Sequence, residues 1–194
     1  RTEIVRDRNG NPTVYEYDDR GNIVREINPG GVEETRTFDA DGNVLQQTDA
    51  LGNVTTFTYD ALGNPLSKSD ALGNVTTTTF NARNQPLTET DANGNVTTRV
   101  YDARGNETSQ TDALGNATAN TYDGQGNRLT TTTAAGQSLA YSYDAAGNAT
   151  TYVDFAGNTT SYTYDANGNR LTESMDWTDA SGTPVVVTTR YTYD

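Results

Sequence analysis

Residues 49–64 read Asp49-Ala50-Leu51-Gly52-Asn53-Val54-Thr55-Thr56-Phe57-Thr58-Tyr59-Asp60-Ala61-Leu62-Gly63-Asn64. One turn signal, Asp-x-x-Gly-Asn, stands at each end, and a Thr- and aromatic-rich run lies between. Asp in the first turn position bonds the backbone two residues on. Gly in the fourth supplies positive φ. Together they predict a type I turn closing into a bulge. Only six or seven residues remain between turns, which is strand length and too short for a helix.

The rest of the chain repeats this stretch. Aromatic pairs fall at Tyr17-Asp18, Phe38-Asp39, Tyr59-Asp60, Phe80-Asn81, Tyr101-Asp102, Tyr122-Asp123, Tyr143-Asp144 and Tyr164-Asp165, each 21 residues after the last. Tyr193-Asp194 follows after 29. Gly21, Gly42, Gly63, Gly105, Gly126, Gly147 and Gly168 close the turn after each pair, and Gly52, Gly73, Gly94, Gly115, Gly136 and Gly157 close the turn between pairs. From Gly42 onward the spacing alternates between 10 and 11, with Asn84 in the one gap. Asn also tolerates positive φ. A fixed period held this often marks a repeat architecture.

Short loops join antiparallel neighbours, because a parallel crossover needs a dozen or more residues. The expected fold is all-β: 21-residue tandem repeats forming a continuous antiparallel β-hairpin meander of two strands per repeat. At roughly 4.8 Å per strand, one repeat advances the sheet by about 10 Å. So wide a twisted sheet is expected to curl or spiral. Period two puts Asn53, Thr55, Phe57 and Tyr59 on one face, and Val54, Thr56 and Thr58 on the other. Leu45, Leu66, Leu87, Leu129 and Leu171 recur on the shorter strand, so Tyr and Leu are expected to form ladders. Neither face is plainly apolar, and each repeat is stabilised mainly by its neighbours.

Composition agrees with a thin core. Apolar residues make up 32% of the 194 residues, and the formal net charge is −13. Such values lean towards disorder, but regularly placed Tyr (12 in all) and Thr favour a pleated, half-buried surface. The absence of Cys and His removes thiol chemistry, the commonest general base and the commonest transition-metal ligand. The acidic balance repels phosphate backbones, so nucleic acid is not an expected partner. No apolar run is long enough for a membrane-spanning helix.

The chain is expected to be one repeat array over 1–194, a fragment of a longer chain, whose last repeat, 165–194, carries an extended hairpin. Asp179 comes four residues late relative to the step from Asp60 to Asp70, and four more follow the turn. The arm therefore projects by about 13 Å. It holds the only Trp, Trp177, and Val185-Val186-Val187. It reads either as packing on a neighbouring layer or as a local insertion.

Tyr59-Asp60-Ala61-Leu62-Gly63-Asn64-Pro65-Leu66 and Tyr164-Asp165-Ala166-Asn167-Gly168-Asn169-Arg170-Leu171, with Thr48-Asp49, Thr90-Asp91 and Thr111-Asp112, resemble the YD/RHS repeat. The resemblance covers essentially the whole chain. It implies long β-sheets that spiral into hollow shells, enclosing a C-terminal toxic domain in bacterial polymorphic and Tc toxins and forming an adhesion-linked barrel in teneurins. It also implies secretion or display at the cell surface. Shell-forming bacterial members close with an aspartyl self-cleaving segment, and no Asp-Pro-x-Gly occurs here.

The carboxylates Asp39, Asp49, Asp60, Asp70, Asp91, Asp102 and Asp112 all occupy one turn place, whereas an acid/base pair needs two different environments. Their expected role is structural, and no catalytic residue is expected. Asp39-Ala40-Asp41-Gly42-Asn43, Asp91-Ala92-Asn93-Gly94-Asn95 and Asp165-Ala166-Asn167-Gly168-Asn169 look like halves of calcium loops, but the bidentate Glu and flanking helices of an EF-hand are missing. Calcium is thus a minor alternative to no cofactor. Phe57, Tyr141, Tyr152 and Tyr162 have the character to stack on sugars, but packing of strand against strand is the preferred reading. The expected function is a wall segment of a hollow β-shell that encloses or presents another domain. The alternative is a surface fibre or adhesin binding glycan or protein. Its partners are the neighbouring repeats of the same chain, an enclosed C-terminal domain or self-assembly.

Overall fold

The computed structural model describes residues 1–179 and 181–193; Ala180 and Asp194, which belong to the last turn and the last aromatic pair, lie outside the described residues. Every regular element is a β-strand. Two units divide the chain, Arg1–Thr97 and Thr98–Asp194.

The first unit contains β1 (Thr2–Arg6), β2 (Pro12–Tyr17), β3 (Ile23–Ile27), β4 (Glu33–Phe38), β5 (Val44–Thr48), β6 (Val54–Tyr59), β7 (Pro65–Ser69), β8 (Val75–Phe80) and β9 (Pro86–Thr90). Each pairs antiparallel with the next in sequence. The second unit begins within β10 (Val96–Tyr101) and contains β11 (Glu107–Thr111), β12 (Ala117–Tyr122), β13 (Arg128–Thr132), β14 (Ser138–Tyr143), β15 (Ala149–Val153), β16 (Thr159–Tyr164), β17 (Arg170–Thr178) and β18 (Pro184–Arg190). Its strands follow the same neighbour-to-neighbour antiparallel order, with the β10 register starting at Thr98. The expected hairpin meander is present in each unit. Long strands, rich in Thr and aromatics, end at the aromatic pair. Short strands begin after the following Gly-Asn.

No hydrophobic residue is buried, and Thr160, at 8% exposure, is the sole buried side chain among the described residues. The sheet is nevertheless two-faced. In β6, Thr55, Phe57 and Tyr59 are half-buried while Thr56 and Thr58 are exposed, and β12 alternates in the same way. On the exposed face, hydroxyls meet across the strands, as in Thr58 with Ser67, Thr79 with Thr88 and Thr121 with Thr130, each at 2.6 Å.

Wherever a long strand meets the following short one, the register slips by one residue. Thr58 lies opposite Ser67 but Tyr59 opposite Pro65, so Leu66 is skipped. The same slip passes over Leu45 and Leu87. These leucines therefore occupy β-bulges rather than ladder positions.

The slip keeps the repeat in phase. Thr35 lies opposite Thr48, and Thr48 opposite Val54, nineteen residues beyond Thr35. Without the bulge the offset would be twenty. A 21-residue repeat would then turn each aromatic to the face opposite its predecessor. With it, all aromatics of a unit share one face, and each repeat slides by two residues along the strand direction, about 7 Å.

The last hairpin is the longest. β17 pairs with β16 from Arg170 to Asp176 and with β18 from Thr172 to Thr178. Met175 lies opposite Val187 and Trp177 opposite Val185.

Candidate functional site

The recurrent site is the aromatic pair with its turn. At Asp60, Oδ1 accepts the backbone N–H of Leu62 and of Asn64, each at 2.9 Å, and Oδ2 accepts the Asn64 side-chain amide at 2.8 Å. The Gly63 N–H donates to the Asp60 carbonyl, and the Asp60 N–H to the Asn64 carbonyl. This is the expected type I turn with its bulge. Sixteen glycines have positive φ, and Asn84, in the glycine gap, has φ 62°. The same carboxylate clasp forms at Asp18, Asp39, Asp102, Asp123, Asp144 and Asp165. The Asn that ends the motif thus does more than start a strand: its amide closes the turn onto Asp. That donation is the largest of the influences holding the Asp60 carboxyl below its usual range, and the same holds at Asp102 and Asp165.

Asn81 shows the neutral variant. Its Oδ1 accepts the N–H of Arg83 and Gln85, and its own amide donates to the Gln85 side chain at 3.1 Å. The polarity of the side-chain bond is reversed and the turn is kept. At Thr133 the carboxylate is lost, and the buried Oγ1 has no hydrogen-bond partner.

The aromatic closes the seam between repeats. Tyr59 Oη donates to the Val44 carbonyl at 3.0 Å, Tyr122 Oη to Glu107 at 2.9 Å and Tyr143 Oη to Arg128 at 3.0 Å. Each acceptor opens the preceding short strand, one residue before the bulge. The bulge disrupts the ladder there, and the next repeat supplies the donor. Tyr17 is bonded to Glu3 instead. Phe38 and Phe80 occupy the same place without a hydroxyl, and Tyr101 and Tyr164 end their strands likewise. Partial burial pushes the Tyr59 and Tyr122 hydroxyls above their usual range.

The two kinds of turn differ. Those after an aromatic touch their neighbours one repeat away. Asn43 Oδ1 lies 3.6 Å from where a Cβ on Gly63 would sit, and Asn106 and Asn148 stand likewise to Gly126 and Gly168. Asn64 donates to Asn84 at 3.0 Å, Arg20 to the Asp39 carbonyl at 3.0 Å and Arg104 to the Gly124 carbonyl. Gly21 and Gly147 have the positive φ of this position with nothing within 4 Å of a Cβ. In the return turns, Gly52, Gly73, Gly94, Gly115, Gly136 and Gly157 have nothing within 4 Å of a Cβ, and Leu51, Leu72 and Leu114 are 87–88% exposed.

The calcium alternative fits this donor set poorly. Of the three candidate loops, those at Asp91 and Asp165 offer one carboxylate and that at Asp39 two, and both oxygens of the first Asp in each already accept bonds from the turn. No group of three or more acidic, His or Cys side chains suited to a metal ion exists among the described residues. The sugar-stacking candidates are engaged locally. Tyr141 packs on Tyr152, its cross-strand partner, at 5.0 Å, with the Arg128 guanidinium 5.6 Å from its ring. Arg170 lies 5.6 Å from the Tyr162 ring, and Phe57 stands opposite Lys68. Among the described residues, no helix is long and apolar enough to cross a membrane.

These features define a protein built of antiparallel hairpin repeats, clasped by Asp-Asn turns, with Asn81-Gln85 in one of them, and ended by a recurrent aromatic. The RHS Repeat family model matches residues 2–33, 38–75, 59–96, 80–118, 101–138, 122–159 and 143–176, and the chain belongs to that family. No curated protein matches the chain. Among solved structures, the Photorhabdus luminescens Tc holotoxin pore is similar over 92% of this chain and 11% of its own, with 17% identity and a TM-score of 0.62. TcdB2-TccC3 without its hypervariable C-terminal region is similar over 100% of this chain and 13% of its own, with 18% identity and a TM-score of 0.53. The chain thus spans a small fraction of either, and the likeness is one of fold.

Proposed function

We propose that this chain is a non-enzymatic wall segment of an extracellular hollow β-shell or tube that encloses or presents another domain of a longer protein. The observation that carries the reading is the register. Within each unit, every repeat slides by the same two residues while its strand aromatics stay on one face. A constant stagger of this kind is what a closing sheet requires. The similarity to Tc structures, one of them named for its missing hypervariable C-terminal region, supports the same reading. The aromatic, Asp and Gly positions from Tyr17 to Gly168 serve as wall-building residues, and the partners are further repeats of the same chain. The projecting β17–β18 arm, with Met175 and Val187 partly exposed, packs on an adjacent layer. Electron microscopy of the longer protein tests this: a closed hollow body is expected, and a straight solid ribbon overturns it.

A second reading, a surface fibre or adhesin, draws on the exposed return-turn leucines Leu51, Leu72 and Leu114. Under it the purified chain binds a glycan or protein ligand, and binding falls when those three leucines become Ser.

A further inference from the structure

The return turns carry a chemistry that the wall does not use. Asn53-Val54-Thr55, Asn74-Val75-Thr76, Asn95-Val96-Thr97 and Asn116-Ala117-Thr118 each form the tripeptide Asn-x-Thr, with Asn just after the turn glycine. This tripeptide is the acceptor signal for N-linked sugar. All four asparagines are exposed, in the row of turns whose glycines have open space around them. Three further copies differ. Asn106 and Asn148 are half-buried in the aromatic turns, with Oδ1 at 3.6 Å from the Cβ place of the next repeat's glycine. Asn158 is half-buried, and its signal threonine, Thr160, is only 8% exposed.

We propose that Asn53, Asn74 and Asn95 of the first unit and Asn116 of the second are acceptors for an N-linked sugar, and that in each unit the return-turn edge is the glycan-bearing one. In the transfer, Asn Nδ2 attacks the anomeric carbon of a sugar carried on a nucleotide or lipid diphosphate. The Nδ2–C1 bond forms, the C1–O bond to phosphate breaks with its electron pair leaving on the diphosphate, and Nδ2 gives up one proton to a base of the transferase. The folded turn tolerates this. Nδ2 has two hydrogens, and one is held by the turn Asp, at 2.8 Å in Asn53 and 2.7 Å in Asn74. The sugar replaces the other. Within the first unit, acceptors one repeat apart stand about 12 Å from one another, about 10 Å across the strands and about 7 Å along them, so a single hexose or another small glycan suits the edge. The inference holds whether or not the sheet encloses anything.

The test incubates the folded chain with a sequon-reading N-glycosyltransferase and a nucleotide-activated hexose, and reads intact mass and peptide maps. Up to four hexoses are expected, at Asn53, Asn74, Asn95 and Asn116. Thr55→Val, which keeps the strand and the Asp49-Asn53 clasp, should remove the addition at Asn53 alone. Asn53→Gln should do the same, and Gln137 already fills the equivalent place in one return turn. Two results overturn the proposal. One is no addition to the folded chain when the urea-unfolded chain accepts sugar. The other is equal occupancy at Asn106, Asn148 and Asn158.

Discussion

At the residue scale, the tyrosine hydroxyl separates Tyr from Phe in an otherwise identical place. Tyr59 Oη satisfies the Val44 carbonyl beside a bulge. Tyr59→Phe should therefore cost about 0.5–1.5 kcal/mol, the net worth of a typical hydrogen bond, read as a lower urea midpoint at unchanged slope. The converse change has a natural site. Phe80 lies one repeat after Tyr59, and the corresponding carbonyl belongs to Pro65, so Phe80→Tyr should stabilise by a similar amount. Thr133 offers a second repair. Its Oγ1 is buried and unpartnered, in a turn whose backbone bonds are intact. Thr133→Asp with Gln137→Asn rebuilds the clasp, and a raised thermal midpoint is the expected result. The sequence showed that an aromatic recurs here but not what its hydroxyl does. The acceptor is a backbone carbonyl fifteen residues earlier, and backbone carbonyls leave no mark on composition.

At the element scale, the turn was legible and the bulge was not. Asp, Gly and the substitute Asn84 each announce a backbone requirement that any sequence displays. A bulge at Leu66 has no such residue, because an aliphatic side chain suits a ladder and a bulge alike. The signal lay in the odd period: 21 residues cannot keep one face without a one-residue slip in each repeat. The turn also sets the acid response. The carboxyls of Asp39, Asp60, Asp102 and their equivalents are held below their unfolded value, about 3.9. A depressed folded pKa contributes stability that is fully present above that value and is lost as pH falls through the folded one. The thermal midpoint should therefore be flat from about pH 7 to about pH 5 and fall progressively below. Asp60→Asn with Asn64→Gln copies the neutral turn at Asn81 and Gln85. It should retain the fold and make the drop shallower, and an unchanged slope would assign the acid response elsewhere. Backbone geometry makes its own demand at Gly52, whose φ is 82°. Gly52→Ala should cost about 1–2 kcal/mol by denaturant titration, the penalty of a left-handed L-residue.

At the scale of the whole molecule, the absence of any buried hydrophobic residue among the described residues means stability is distributed along the chain rather than held in a centre. Such an array behaves as a sum of repeats and their interfaces, so what matters for adding or removing chain is phase. Deleting residues 60–80 removes one aromatic turn, one short strand, one return turn and one long strand, and joins Tyr59 to Asn81. That junction has the form of Phe80-Asn81, and the strands that follow keep both direction and face. The expected product retains its β-sheet circular dichroism and unfolds cooperatively, with a urea slope lower by roughly a tenth because less surface is exposed. Deleting residues 50–59 instead joins Asp49 to Asp60 and leaves an intact turn, but removes a single strand. Every later strand of the first unit then runs in the opposite direction, its aromatics lose the face they shared with those before the deletion, and the Tyr59 bond to Val44 is gone. This shorter deletion should be the more damaging, seen as lost cooperativity and faster proteolysis. Equal tolerance of the two would mean that the strands are held by their local hairpins alone, with no contribution from the phase between repeats.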